Sequence, residues 1–224
     1  MMLKRLNKKF PISEIIDQVS KLDFDKRLAV NETTGDLFSG VYTIKTEFKN
    51  TPLGNVLEEM GDIGEARLLK LVGGETYTAH TDPDDRFHLA ITTNPHCYLL
   101  DLDNEKMFQI PVDGHMWTMD TSFKHIAANF GGNPRIHLNI RHRLPEFKSP
   151  GYRVKFDGVD NFDWKQQLHI DVLGFINCEI KKGNISGIAK VSEREMLINC
   201  SQSVIDYIVS INESKGFKAI ITEE

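Results

Sequence analysis

The stretch His80-Thr81-Asp82-Pro83-Asp84-Asp85-Arg86-Phe87-His88-Leu89-Ala90-Ile91 decides how this chain is read. Asp82-Pro83-Asp84 has turn chemistry, and the residues after it alternate: Arg86 and His88 have one parity, Phe87, Leu89 and Ile91 the other. Side chains two apart on a strand point to the same side. The segment therefore predicts a strand with one polar and one oily face, and it aims His80 and Asp82 in a common direction just before the turn. Arg135, His137 and Asn139 alternate with Ile136, Leu138 and Ile140 in the same way. Parity leaves two readings of these polar faces: solvated, the usual case for a strand, or lining a cavity inside a closed β structure.

Working outward, the chain from about Leu68 to Arg143 is punctuated by turn signals at Gly73-Gly74, Thr93-Asn94-Pro95, Asp103-Asn104, Asp113-Gly114 and Gly131-Gly132-Asn133-Pro134. Short strands between such regular turns predict a mainly β fold, a double-sheet jelly roll or barrel, in place of alternating βαβ units. Ile12, Ile15, Ile16 and Val19 have helical spacing and predict a flanking helix over Ile12 to Leu22. In the tail, Val172 to Val191 reads as a hairpin around Lys182-Gly183-Asn184. Ser192-Glu193-Arg194-Glu195 has the form of a capping box. It would open a helix whose Leu197, Cys200, Val204, Ile208 and Ile211 share a face, ending near Gly216, with a last strand over Phe217 to Thr222. The expected division is a β domain with its helical flank over residues 1–149 and a small α+β appendage over 150–224.

Composition narrows the class. Hydrophobic content of 40% and charged content of 26% are those of an ordinary globular chain. A net charge of −5 without a basic stripe argues against a nucleic-acid partner. No apolar run approaches the roughly 20 residues of a membrane span. The basic start, with Lys4, Arg5, Lys8 and Lys9, lacks the apolar core of a secretory signal. Cys97, Cys178 and Cys200 form no CxxC pair and are odd in number, so they read as reduced thiols of a cytoplasmic protein.

With eight histidines and 32 acidic residues, an H-x-acid triplet is expected by chance alone, and the chain has two. His169-Ile170-Asp171 contains the last histidine, so no third ligand can follow it, and it reads as an ordinary strand segment of the tail. His80-Thr81-Asp82 has His125 downstream, and Arg135 ten residues further across a Gly-Gly-Asn-Pro turn. Two imidazoles and a carboxylate can occupy one face of a divalent ion and leave the remaining positions open, as in non-haem iron(II) sites. A guanidinium beyond them can hold a carboxylate by a two-pronged hydrogen-bonded pair. Read alone, His125 is a surface or capping histidine. Asp120 either orients it or caps a turn, and Trp117 is either core or a substrate platform.

The stretch from about Leu68 to Arg143 resembles the aspartyl/asparaginyl β-hydroxylase family of iron(II)/2-oxoglutarate oxygenases, which includes bacterial enzymes acting on free proline. The resemblance rests on His80-Thr81-Asp82, Arg86-Phe87-His88, Gly114-His115-Met116-Trp117 with Asp120 and His125, and Arg135-Ile136-His137-Leu138. It implies a double-stranded β-helix, a jelly-roll (cupin-like) variant. It also implies that His80, Asp82 and His125 are the iron ligands, that Arg135 binds the distal carboxylate of 2-oxoglutarate, and that Arg86 and His88 contact that cosubstrate near its metal-bound end. Asp82 stands where some animal members have glycine, which resembles the bacterial branch. The animal enzymes' membrane anchor and helical-repeat region are not recognisable in these residues, which turns the expectation away from secretory-pathway protein substrates.

The resemblance implies hydroxylation of an unactivated C–H bond with Fe(II), 2-oxoglutarate and O2. The expected substrate is a free amino acid such as proline, or an Asp, Asn or Pro side chain in a peptide. Two rivals share the sequence evidence. A metal-dependent cupin-like isomerase or lyase would need the three ligands but neither Arg135 nor 2-oxoglutarate. A non-catalytic jelly-roll binding protein would need no metal.

Overall fold

The alternating segments around Leu138 become the centre of the largest sheet. The computed structural model describes residues 2–157, 164–192, 194–216 and 218–224, with the backbone alone for 164–170. The chain begins with β1 (Leu3–Lys9), α1 (Ile12–Ser20), β2 (Arg27–Ala29), β3 (Asn31–Glu32), β4 (Thr43–Ile44) and α2 (Pro52–Met60). Seven strands follow: β5 (Ile63–Leu71), β6 (Arg86–Thr92), β7 (Cys97–Asp101), β8 (Lys106–Phe108), β9 (His115–Met119), β10 (His125–Asn129) and β11 (Arg135–His142). The remainder is β12 (Tyr152–Asp157), α3 (Trp164–Lys181), β13 (Ile185–Ser192), β14 (Glu195–Cys200), α4 (Gln202–Ser214) and β15 (Lys218–Glu223). The fold is mainly β, built of several antiparallel sheets.

A six-stranded sheet has the order β1-β9-β6-β11-β5-β2, and a smaller one the order β10-β7-β8. Residues 74–80 extend the smaller sheet along the other side of β10, through Gly74 N to Asn129 O at 2.8 Å, Tyr77 N to Ala127 O at 2.9 Å and a bridge from His80 to His125. The alternation read from sequence sorts the two faces of the large sheet. Leu68, Leu138 and Leu89 lie side by side on β5, β11 and β6, and with Ile140, Ala66 and Ile91 they pack against Ile15 and Val19 of α1 and Leu53, Val56 and Leu57 of α2. On the opposite parity, Leu71, Ala90 and Met119 share a second apolar cluster with Leu99 and Ala127 of the small sheet. Both helices cover the large sheet because their apolar stripes have nowhere else to be buried. Pro52 starts α2, the Thr51 hydroxyl accepts from Gly54 N at 3.2 Å, and Gly61 ends the helix at a positive φ of 77°.

The tail departs from expectation in three places. Residues 172–181 are the end of α3, not the first strand of a hairpin. Val172, Ile176 and Ile180 recur at helical spacing, and burying them among α4 and β13 residues outweighs an apolar run that is equally readable as a strand. His169-Ile170-Asp171 therefore lies on this helix and not on a strand, and Asp171 pairs with Lys215 at 3.2 Å. The capping box does not form. Ser192 ends β13, Glu195 opens β14, and Glu193 lies outside the described residues. Leu197 and Cys200 are on that strand, where Met196 and Ile198 are buried at a period of two. The helix begins only at Gln202, buries Val204, Ile205 and Ile208, and stops before Gly216 at a positive φ of 77°. The hairpin exists one element later than read, as β13–β14. The last strand runs from Lys218, with Phe217 outside the described residues.

β12–β15 form a sheet of their own in the order β13-β14-β12-β15, over an apolar cluster that also takes in Phe38 and Leu144 from earlier in the chain. The three cysteines are unpaired thiols. Among the described residues no helix is long and apolar enough to cross a membrane. Leu138 is fully buried between β5, β6 and the two helices, so Leu138→Ala should cost about 2–5 kcal/mol of stability. Urea unfolding measures it, and a loss under 1 kcal/mol would contradict this packing.

Candidate functional site

The two histidines meet because an antiparallel bridge sets them directly opposite one another. His80 N donates to His125 O at 3.1 Å and His125 N to His80 O at 2.9 Å, and residues so paired project from the same face. Their rings lie 4.4 Å apart between centroids. Asp82 is brought to them by the next hydrogen bond, Asp82 N to Thr121 O at 3.0 Å. Asp82 Oδ2 then lies 3.9 Å from His80 Nε2 and 3.8 Å from His125 Nε2, and one ligand atom from each residue falls within 4.8 Å of the others. Each imidazole hydrogen-bonds through Nδ1 to a carbonyl two residues back, His80 to Thr78 O at 2.7 Å and His125 to Phe123 O at 2.9 Å. A carbonyl only accepts, so both rings carry a proton on Nδ1 and turn Nε2 to the side of Asp82.

Electrostatics keep Asp82 and His125 in ligand form. Burial would raise the Asp82 carboxyl, but Arg86 first, and then His80, His125 and Arg141, hold it well below the ordinary carboxylate range. Burial pushes His125 down to about 4 against the pull of Asp82, so the ring is neutral at physiological pH. Arg86 is held in turn. Its Nη2 donates to Asp82 at 3.0 Å, and its Nη1 to Asp84. Asp84, with no side-chain exposure, also takes a two-pronged pair from Arg141, at 2.8 and 2.7 Å.

These residues open onto a cavity of about 370 Å³ between the two sheets. The polar parity of the large sheet is therefore one wall of a cavity, not a solvated face: Arg67, Arg86, His88, Arg135 and Asn139 line it opposite Tyr77, Leu99 and Ala127. Arg135 is 3% exposed and has no carboxylate partner among the described residues. It lies against His137, with Nε 3.1 Å from Nε2 and Nη2 2.8 Å from Nδ1. A neutral imidazole accepts at one nitrogen only, so just one of these contacts is a hydrogen bond. Burial lowers the Arg135 pKa to about 10, which leaves it charged at neutral pH. Burial, then the Arg135 and Arg86 charges, holds His88 well below the usual imidazole range. Asn139 Nδ2 donates to His88 Nε2 at 3.2 Å, so the His88 proton sits on Nδ1, which is buried and has no partner.

Asp120 does not reach His125. It accepts from Ser122 N at 3.1 Å and from Lys181 Nζ at 2.6 Å, which makes it a turn cap tied to the tail. Trp117 packs partly into the cluster between the sheets. The sequence reading missed the support from α3. Asn177, 2% exposed, donates from Nδ2 to Asp82 O at 3.1 Å and to Asp85 Oδ1 at 3.1 Å, and lies 3.2 Å from Thr121 Oγ1. A Cβ on Gly174 would come within 2.8 Å of Ser122 O and 3.1 Å of Thr81 Cγ2. Only glycine lets α3 lie this close to both loops. Asn177 is more than ninety residues from Asp82, and no local sequence signal marks it.

Residues 48–145, which contain all of the site residues read from sequence, match the family model described as aspartyl/asparaginyl beta-hydroxylase. No curated protein matches the chain. One solved structure, titled "Crystal structure of CapF with inhibitor 3-isopropenyl-tropolone", aligns at 11% identity over 51% of this chain and 30% of its own, with a TM-score of 0.32. That is too low to carry an argument about fold or function.

Asp84→Asn would leave two buried guanidiniums facing a neutral amide, with an expected loss of about 3–5 kcal/mol in thermal or urea unfolding. Asn177→Ala should cost about 1–3 kcal/mol, since it strips partners from buried acceptors. An Asp84→Asn protein as stable as its parent would remove the structural role given to that carboxylate.

Proposed function

We propose, from the match of residues 48–145 to the aspartyl/asparaginyl β-hydroxylase family, which implies a hydroxylase-type oxygenase, that the protein is an iron(II)- and 2-oxoglutarate-dependent dioxygenase. Its substrate would be a free amino acid such as proline, or an Asp, Asn or Pro side chain in a peptide. The reaction inserts one oxygen atom of O2 into a C–H bond and the other into 2-oxoglutarate, which leaves as succinate and CO2. The single observation that carries this reading is a buried, acid-free Arg135 on the wall of the cavity that also holds the His80–Asp82–His125 cluster.

The donor set suits a ferrous ion: two imidazoles and one ionised carboxylate on one side, with the cavity on the other. His80 Nε2, Asp82 and His125 Nε2 would hold it, and when bound it supplies the oxygen chemistry. The chain's own part is binding and exclusion. Arg135 offers a two-pronged edge to the distal carboxylate of 2-oxoglutarate. The unpartnered His88 Nδ1–H is a donor for an anionic oxygen, and Arg86 keeps Asp82 ionised while lining the same space, which supports a place for both beside the metal-bound end of the cosubstrate. Leu69, Leu99, Met119 and Ala127 give that space its apolar lining. We take the two sheets joined by one apolar cluster to be a double-stranded β-helix. We also take 1–149 and 150–224 as separate domains, a division supported by the separate sheet of the tail.

Metal-stripped protein titrated with Mn(II), then with 2-oxoglutarate, tests the assignment by thermal shift. A ligand at about 100 times its Kd should add roughly 2.7 kcal/mol of stability. His125→Ala should abolish the metal response, and Arg135→Gln should keep it while losing most of the response to 2-oxoglutarate. A metal response without one to 2-oxoglutarate would turn the reading toward an isomerase or lyase. No response to either would end it.

A further inference from the structure

One transverse row of the large sheet stands out from the rest of its cavity face. Arg67 on β5 pairs with Asn139 on β11, Asn139 with His88 on β6, and His88 with Trp117 on β9. Each of the four has a buried polar atom without a hydrogen-bond partner: Arg67 Nε, Asn139 Oδ1, His88 Nδ1 and Trp117 Nε1. Among the described residues only Thr81 and His142 have another. Buried polar groups are nearly always paired, and each unpaired one weakens the fold. Three of the four, Arg67, Asn139 and His88, also line the cavity, and together they mark a wall built to be completed by a polar ligand.

Charge says what kind of ligand. Four guanidiniums line the cavity, those of Arg27, Arg67, Arg86 and Arg135, against one carboxylate, Asp82. Arg86 is taken up by Asp82 and Asp84, and Arg135 by the cosubstrate on the reading above, on which this inference rests. Arg67 is left. Its register partner is Asn139, while Arg135 pairs with Leu71, so the two arginines start about 13 Å apart along the wall. Arg67 and Arg135 thus stand two register steps apart on that wall. Glu65 binds Arg67 through Nη1 at 3.0 Å. This fixes the guanidinium yet leaves its Nε edge, the edge through which Arg141 holds Asp84 two-pronged. Arg27, exposed and opposite Leu69, stands in the row between those of Arg67 and Arg135 and adds a further positive charge to the cavity one register step from each.

We infer that Arg67, with Arg27 beside it, binds a carboxylate of the molecule to be hydroxylated, so the substrate is a small free carboxylic acid and not a segment whose carboxyl is tied up in a peptide bond. Asn139 and His88 continue the row from that anchor toward the metal cluster, which sets a short acid with its acid group at Arg67 and its reacting carbon toward His80 and His125.

The test uses the full-length protein loaded with Mn(II) and 2-oxoglutarate, with the twenty free L-amino acids as probes and their carboxamides as controls, read by thermal shift and by calorimetric Kd. At least one free acid should bind, and its carboxamide should not. Arg67→Gln should weaken that acid by about 30-fold or more, as expected for truncating one partner of a buried charge pair, and change the 2-oxoglutarate Kd less than twofold. Arg135→Gln should do the reverse. Arg67→Lys, which keeps the charge but not the fork, should fall between parent and Gln and guards against a folding artefact. Binding of the carboxamide as tightly as the acid, failure of every free acid, or an Arg67→Gln protein with unchanged affinity would each overturn the inference while leaving the cosubstrate assignment standing. Failure of the parent protein to bind Mn(II) or 2-oxoglutarate would instead bring down both.

Discussion

The site hangs from Asp84. Its carboxylate is withdrawn from solvent, takes Arg141 through both oxygens and Arg86 through one, and sits two residues from Asp82 on the same turn. A buried carboxylate is tolerated only when it is paired and hydrogen-bonded, and that need ties the turn to β11 on one side and β6 on the other. Arg86 passes the constraint on, since the terminal amine not used by Asp84 reaches Asp82. The carboxylate beside the histidines is thus fixed in place and kept ionised by the same guanidinium.

The His80–His125 bridge does the complementary work from the small sheet. Backbone hydrogen bonds in both directions set the two rings opposite each other, and each Nδ1 is occupied by a local carbonyl. Orientation and tautomer are therefore decided before any ion arrives. Such preorganisation is what a metal site needs, because the geometry of the ligands is paid for in folding and not at binding.

The tail takes part in this arrangement although it lies outside the family match. Asn177 bonds the Asp82 carbonyl, while Lys181 joins Asp85 at 2.9 Å to Asp120 at 2.6 Å. The loop before β6 and the loop before β10 are thus fastened to one helix. Stability of α3 and the spacing of His80, Asp82 and His125 are physically linked, whatever else the tail does.

Much of the site was legible because its signals are local. His80-Thr81-Asp82, the parity of Arg86 and His88, and the parity of Arg135 and Asn139 follow from the strand period of two, which sequence displays directly. The turn residues likewise marked a mainly β chain. What sequence could not display were contacts between distant segments. Asp84 read as one more turn aspartate, Asn177 fell inside the hairpin read over Val172 to Val191, and nothing local singled out Arg67. The tail was misread where an apolar run fits two periods: residues 172–181 satisfy a helix as well as a strand, and only packing against α4 and β13 chose. By itself, then, the sequence determined that His80 and Asp82 point the same way and which face of each strand is polar, since both are set by residues a few positions apart. Only the tertiary structure decided that those faces enclose a cavity, which charges in it are already paired, and which remain to meet a ligand, because burial and pairing depend on strand register and on segments that touch only once the chain has folded.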